Sequence, residues 1–358
     1  MNMENLKIAI IGAGPSGGIL GAYLARKNID VTLVDVWKSH MEAIQKKGLE
    51  ITGVENFIAK FDSDNLKLSI SDLKDYKLDI VFIAVKTPFL PRVAEDLKQV
   101  ISDKTFVVSH QNGIGTDEYL ASVFGKERAL RFVINYAGNM IGPGKIDMTF
   151  FNPPNDFGAQ STDNNAVARE IADLISKTGL TTVLQEDIQP AVWKKAILNA
   201  ALAGLCAITQ MTMREAMDFE DTSVIVSHLI KEGIAVAEAL GYSYGPGFHD
   251  GAIAYLSKGG HHKPSMLIDI ESRRPSEVAF LNEKIVDVGR EKGIPTPYNE
   301  SVTSVIKALD IVNKKRNDVI SEGMKKLGLK ATCRECAVIE ACITSFKFCP
   351  YLGELIAH

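Results

Sequence analysis

Residues 7–35 read KIAIIGAGPSGGILGAYLARKNIDVTLVD, and the order of residue types in this stretch decides the first half of the fold. Lys7 to Ile11 is an apolar, mostly β-branched run, as expected of a parallel strand covered on both faces. It breaks into Gly12, Gly14 and Gly17, the spacing G-x-G-x-x-G. The first glycine permits the tight turn, the second lets a pyrophosphate approach the backbone, and the third lets helix and strand pack closely. Free N–H groups at the start of the following helix would hold the phosphates, so Pro15 and Ser16 join the glycines as cofactor-binding candidates. DVTLVD (30–35) supplies the second strand, which ends at Asp35, 18 residues after Gly17. A carboxylate there accepts hydrogen bonds from the adenosine ribose and repels a 2′-phosphate, which favours NAD over NADP. The same residue could instead end a solvated strand or cap a helix at SHMEAIQKK, and Lys38 is placed to receive a phosphate.

Two more apolar runs end in polar residues. DIVFIAVK (79–86) closes on Lys86, and TFVVSHQNGIG (105–115) closes on Ser109, His110, Gln111 and Asn112 before two glycines. Ligands of doubly wound sheets sit at the C-terminal ends of the strands, so Lys86 and Asn112 would line the cofactor crevice. RFVINYAG (131–138) continues the sheet, and its Ala137 is counted with the cofactor-lining residues. GPGKIDMTFFNPPNDFGA (142–159) reads as hairpin strands, and NNAVAREIADLISKTG (164–179) as one more helix.

The chain has 358 residues, enough for two domains, and its 46% apolar and 23% charged residues are those of a globular protein. A formal charge of −4 provides no overall basic field for nucleic acid or an anionic membrane. The apolar start is too short to span a bilayer and has no basic leader, so a cytoplasmic location is expected.

In the second half, VWKKAILNAALAGLCA (192–207) places Lys194, Lys195 and Asn199 in an otherwise apolar segment. An unpaired buried ammonium is costly unless it is paired or gives up its proton. The pattern predicts a helix from about Ala191 to Met213, on which Lys195 and Asn199, four apart, stack on one face. Lys194 is expected to snorkel to water, whereas Lys195 and Asn199 suit a polar crevice. A further helix is expected in 263–293, kinked at Pro275, with Ser265 and Asp269 on one face and Glu277 two turns on. A last helix is expected over about Ser301 to Val312.

With these pieces in order, residues 7–310 resemble the ketopantoate reductase family. The resemblance rests on GAGPSG (12–17), AVK (84–86), QNGIG (111–115), WKKAILN (193–199), SMLIDIESRRPSE (265–277) and GIPTP (293–297). It implies an α/β fold: an N-terminal Rossmann-type doubly wound sheet (1–187), then an all-α substrate domain (188–314), with the active site between them. It further implies that Lys195 is the catalytic lysine, Glu277 the active-site acid, and Asn199 and Ser265 the substrate-holding residues. Asn112 would lie near the nicotinamide and the substrate, and Lys86 and Glu277 near the cofactor. The implied reaction is NAD(P)H-dependent reduction of a 2-oxo acid, such as 2-dehydropantoate, by a homodimer.

Two positions depart from the family pattern. Ala203 stands where a second asparagine is frequent, and Asp35 where many members place an arginine and use NADPH. Both favour an alternative, an NAD-dependent D-2-hydroxy-acid dehydrogenase acting on branched or aromatic 2-oxo acids. A non-catalytic nucleotide or redox sensor is a third reading, which the presence of Lys195, Asn199, Ser265 and Glu277 argues against. Beyond about residue 315, a tail spaces Cys333, Cys336, Cys342 and Cys349 as C-x2-C-x5-C-x6-C, which suits a structural zinc ion or an iron–sulfur cluster.

Overall fold

The computed structural model describes residues 6–327. The opening run forms β1 (Lys7–Ile11), α1 (Pro15–Ala25) and β2 (Asp30–Val34). After these come α2 (Lys38–Lys47), β3 (Leu49–Gly53), β4 (Phe57–Ala59), β5 (Leu66–Lys67), β6 (Ile80–Ile83) and α3 (Leu90–Lys98). Next are β7 (Phe106–Ser109), α4 (Thr116–Phe124), β8 (Ala129–Val133), β9 (Tyr136–Gly142) and β10 (Lys145–Phe151). The N-terminal half closes with β11 (Asn155–Ala159), α5 (Asn165–Thr178) and β12 (Thr182–Leu184).

Eight of these strands form one sheet in the order β12-β11-β8-β7-β6-β1-β2-β5. It is parallel from β5 to β8, and β11 joins it antiparallel to β8. The strands read as continuous apolar runs because helices cover both faces, and the core clusters lie on either side of the sheet. The strand order reverses between β1 and β6, the place where doubly wound sheets bind their ligands. The Rossmann-type reading of the first half is therefore correct.

The expected hairpin resolves differently. β10 pairs with the preceding β9, and with β3 it builds a second, four-stranded sheet in the order β4-β3-β10-β9. β11, expected as its partner, returns to the large sheet. The small sheet lies on the outer side of α1, which is thus packed between two sheets. Residues 17–24 of this helix are all buried, which explains why it carries three glycines and two alanines rather than an amphipathic pattern.

Gly12 has φ +100°, and a Cβ there would lie 3.0 Å from Ala84 C. A Cβ on Gly17 would lie 2.1 Å from Gly12 O, so the turn closes only with glycine at this position. We expect Gly17→Ala to cost about 3 kcal/mol of stability by overpacking and to abolish dinucleotide binding. Urea unfolding and NADH fluorescence titration check this.

The C-terminal half is helical: α6 (Gln189–Thr209), α7 (Met213–Asp218), α8 (Glu220–Ala239), α9 (Phe248–Leu256), α10 (Ser265–Glu271), α11 (Asn282–Lys292) and α12 (Pro297–Leu327). By length and composition α6 could cross a membrane, but 67% of its apolar window is buried inside this lobe. It stops earlier than expected because Gln210 takes φ 62° and Thr212 opens α7 with a reciprocal Thr212–Glu215 capping box. The single kinked helix expected over 263–293 is two helices. Arg273 adopts φ 54°, Pro275 follows, and Asp310 of α12 anchors the turn after them by accepting from Ser276 N and Oγ (3.1 and 2.6 Å). The last helix begins at Pro297, whose fixed φ suits a first turn, and runs unbroken through the boundary expected at 314. The four tail cysteines lie outside the described residues. Cys206 is buried in α6, where burial pushes its thiol up to about 12 and leaves it unreactive.

Candidate active site

The glycine loop sits at the reversal point, with Gly12 against the chain leaving β6. Its middle peptide is held at both ends. Ala13 N donates to Asp35 Oδ2 (2.8 Å), and Ala13 O pairs with His40 Nε2 (3.0 Å). Gly144 N donates to His40 Nδ1 (2.9 Å), so the Nε2 atom carries the proton, and burial pushes the ring's pKa down and keeps it neutral. Trp37 stacks on this ring at 5.1 Å. The other Asp35 oxygen accepts from Trp37 N (2.8 Å). The carboxylate expected to read the ribose is thus already fixed in place, while Lys38 is exposed beside it. Space is open where a Cβ on Gly14 would lie, and no side chain caps α1. An open, uncapped helix start of this kind fits a dinucleotide pyrophosphate, with Gly12, Gly14, Pro15, Ser16 and Gly17 forming the cradle.

The next strand ends bring the second set of residues together. Lys86 follows β6 and crosses to the helical lobe, where its Nζ donates to Asp269 Oδ2 (2.7 Å) and Glu277 Oε2 (3.1 Å). Glu277 Oε1 accepts from Thr87 N and Oγ1 (3.1 and 3.2 Å). Both acids are buried, Asp269 at 1% and Glu277 at 5% exposure. Asp269 also takes Arg274 Nε at 3.0 Å. Burial pulls the Lys86 ammonium down, but Glu277 and Asp269 outweigh it and leave its pKa raised. Lys86 is therefore a permanent cation.

Lys195 is the opposite case. It is partly buried on α6 and donates to Ile134 O, just beyond β8. Burial first and the Arg131 charge second hold its pKa down at about 7, against the attraction of Asp156 and Glu277. Lys194, as expected, is exposed. Asn199 lies one turn along from Lys195, partly buried, its side chain without a hydrogen bond among the described residues. Asn112, after β7, has a buried Oδ1 with no partner. An unsatisfied buried acceptor beside a polar crevice is a place for a ligand donor. Ala137 is partly buried on β9, next to Tyr136, whose hydroxyl reaches Ser16 O (3.1 Å). Ser265 is the first residue of α10, exposed, one turn before Asp269 on the same face.

Thr87, Asp269 and Arg131 also shape the site. Asp269 was legible as the residue four after Ser265. Arg131 had a signal too, since a charged residue at the head of the apolar RFVI run breaks the buried-strand pattern. Thr87 had none, because its role depends on a partner 190 residues away.

Chemically, these groups divide the labour. His110 is buried and pushed down to about 3 by burial, Lys195 and Arg131, so it stays neutral at working pH. Arg131 and Lys86 keep their charge. Among the described cations at these strand ends, Lys195 is the one that can exchange a proton near neutrality, as a general acid or base must.

Known proteins match this chain over both of its halves. Residues 8–162 match the family described as ketopantoate reductase PanE/ApbA, and residues 187–310 match its C-terminal part. A 2-dehydropantoate 2-reductase of Streptococcus pyogenes serotype M18 is 28% identical over 310 residues, covering 85% of this chain and 98% of the relative. A D-mandelate dehydrogenase solved with NADH and anilino(oxo)acetate superposes with TM-score 0.77 at 24% identity, covering 86% of this chain and 99% of that one. The dimeric ketopantoate reductase of Staphylococcus aureus superposes with TM-score 0.70 at 22% identity, covering 86% and 100%. With each of its halves matched by one part of that family, the chain belongs to the ketopantoate reductase family.

Proposed function

We propose that the protein reduces the C2 ketone of a 2-oxo acid, 2-dehydropantoate foremost, with Lys195 delivering the proton to the substrate oxygen. The observation that carries this reading is the reach of Lys195 from α6 to Ile134 O, just beyond β8, in surroundings where burial and Arg131 hold its pKa down at about 7. The nicotinamide ring, when bound, supplies the hydride. Negative charge then develops on the former ketone oxygen, and an ammonium within hydrogen-bond reach stabilises it and yields its proton. One Lys195 N–H is spent on Ile134 O, which aims the others, and two remain free to donate. Asn112, Asn199 and Ser265 would orient the acid, and Lys86 would hold Glu277 in place. A homodimer and a cytoplasmic location complete the proposal. The dimeric relative supports the first, together with Phe219, Val224 and Tyr255, which are 50, 49 and 48% exposed on the helical lobe.

A second reading, a dehydrogenase of branched or aromatic 2-hydroxy acids, is favoured by the small, buried Ala203 and by Asp35. Steady-state kinetics with ketopantoate, 2-oxoisocaproate and phenylglyoxylate, each with NADH and NADPH, decide between them. A kcat/KM for ketopantoate below those of both other acids removes the first assignment.

For the cofactor we propose NADH, because a 2′-phosphate would meet the fixed Asp35 carboxylate. Asp35→Asn is expected to shift the NADPH/NADH ratio of kcat/KM by about tenfold toward NADPH. Activity with both cofactors should fall as well, since an amide has one oxygen for the two N–H groups that Asp35 now holds.

A further inference from the structure

A charged side chain in the middle of the sheet is the least expected feature of this lobe. Arg131 lies on β8, in register with Ser109 of β7 and Gly158 of β11, and is 2% exposed. Burying an ionised group is expensive, and among the described residues no carboxylate hydrogen-bonds to this one, although the charge of the buried Asp117 favours it. Its hydrogen bonds all go to a single segment. Nη1 donates to Ser109 Oγ (2.7 Å) and to Thr116 Oγ1, and Nη2 donates to Gly113 O (2.9 Å). The guanidinium thus spans the loop 110–116 from beneath, and the fork needs a planar arginine.

That loop is tied to both other parts of the site. Gln111 Nε2 donates to Val85 O (2.9 Å), beside Lys86. Ile114 N donates to Phe280 O (2.8 Å), in the turn that follows Glu277. Gly113, at φ +103°, passes so close to this turn that a Cβ would lie 2.7 Å from Phe280 O. Asn112 rides between these contacts. In the other direction, the chain from Arg131 runs three residues to Ile134, whose carbonyl holds Lys195.

We propose that Arg131 is a positioning residue for the reaction: it fixes the loop that presents Asn112 and abuts the Glu277 turn, and it supplies a fixed positive charge behind Lys195. The second half of this rests on Lys195 being the proton donor. The charged and titratable groups facing Lys195 are Arg131 from β8, His110 at the end of β7, Asp156 from β11 and Glu277 from the helical lobe. Of these Arg131 repels the ammonium, His110 is neutral, and the two acids favour it. Loss of the Arg131 charge makes Lys195 a weaker acid that keeps its proton to higher pH.

Two variants separate the roles. R131K keeps the charge and loses the fork, so kcat/KM should fall about tenfold through misplacement of the loop, with the alkaline limb of the reduction profile unmoved. R131M loses both, and its alkaline limb should move to higher pH. NADH titration by fluorescence should give near wild-type affinity in both, since the glycine loop is untouched. If neither variant folds, T116V, which removes one acceptor, should lower kcat/KM about threefold without moving the limb. Rates within about twofold of wild type with an unmoved limb in both Arg131 variants, or an unchanged T116V where those do not fold, overturn the proposal. K195M guards the underlying reading. If it keeps full turnover, the Lys195 assignment fails; if it loses turnover while the Arg131 variants behave as wild type, only the Arg131 proposal fails.

Discussion

Replacing Lys195 with methionine lowers kcat for 2-oxo acid reduction by about 10³-fold and leaves NADH affinity near wild type. Methionine matches the length of the lysine stem and stays compatible with a mostly buried helix, so the loss reports the missing ammonium rather than a collapsed α6. The hydrogen bond to Ile134 O disappears with it, so the thermal unfolding of the variant is measured alongside its kinetics. The wild-type pH profile carries the same information. Lys195 sits at about 7 in the folded protein, below an ordinary lysine, because burial and Arg131 disfavour its charged form. Reduction needs the protonated amine, so kcat for reduction falls as pH rises through about 7. Oxidation of the 2-hydroxy acid needs the free amine, so its rate rises over the same interval. Initial rates in both directions between pH 5.5 and 9 check the prediction, and a reduction rate flat across this range would remove Lys195 from the proton-transfer role.

Glu277→Gln is expected to give the second largest effect, about 10²-fold in kcat/KM with about 2 kcal/mol of lost stability. Glu277 is almost wholly buried and holds three donors from the Rossmann half: Lys86 Nζ, Thr87 N and Thr87 Oγ1. An amide of the same shape can accept from one side only, and its NH2 group would face either the Lys86 ammonium or the Thr87 N–H. Lys86 would turn toward Asp269, which still pairs with it. The remaining cost is one broken charge-assisted contact and a displaced turn. Because the charge of Glu277 also favours protonated Lys195, its removal should move the alkaline limb to lower pH. Thermal unfolding and the pH profile of the variant test both parts. A variant with wild-type melting and wild-type kinetics would show that Asp269 alone holds Lys86.

Much of this architecture is visible in the residue order. The strand, glycine loop and helix of 7–25 leave little freedom, because only glycine fits against Gly12 O. The paired polar positions on α6 stand out because they interrupt an apolar run, and Lys194 separates from Lys195 by helical geometry alone. The second sheet was not legible, since β9 reads as part of the large sheet and β10 as half of a hairpin, and their assignment depends on the outer face of α1. The break between α10 and α11 lay in a balance local to Pro275: a kink and a stop look alike until Asp310, 34 residues beyond Ser276, fixes the turn between them. Contacts such as Thr87 with Glu277 are pure consequences of tertiary packing. No local spacing encodes them.

The position of α1 between two sheets has a consequence for how this cofactor site can vary. A helix pressed from both sides cannot accept a larger residue without shifting strands in two layers at once, so residues 17–24 are closed to gradual change. The adenosine end is different, because Val36, Trp37 and Lys38 are exposed beyond β2, and among the described residues their side chains touch only the His40 ring and, through an exposed ion pair, Glu42. Adaptation to a different dinucleotide would therefore run through that short exposed corner while the phosphate cradle stays as it is.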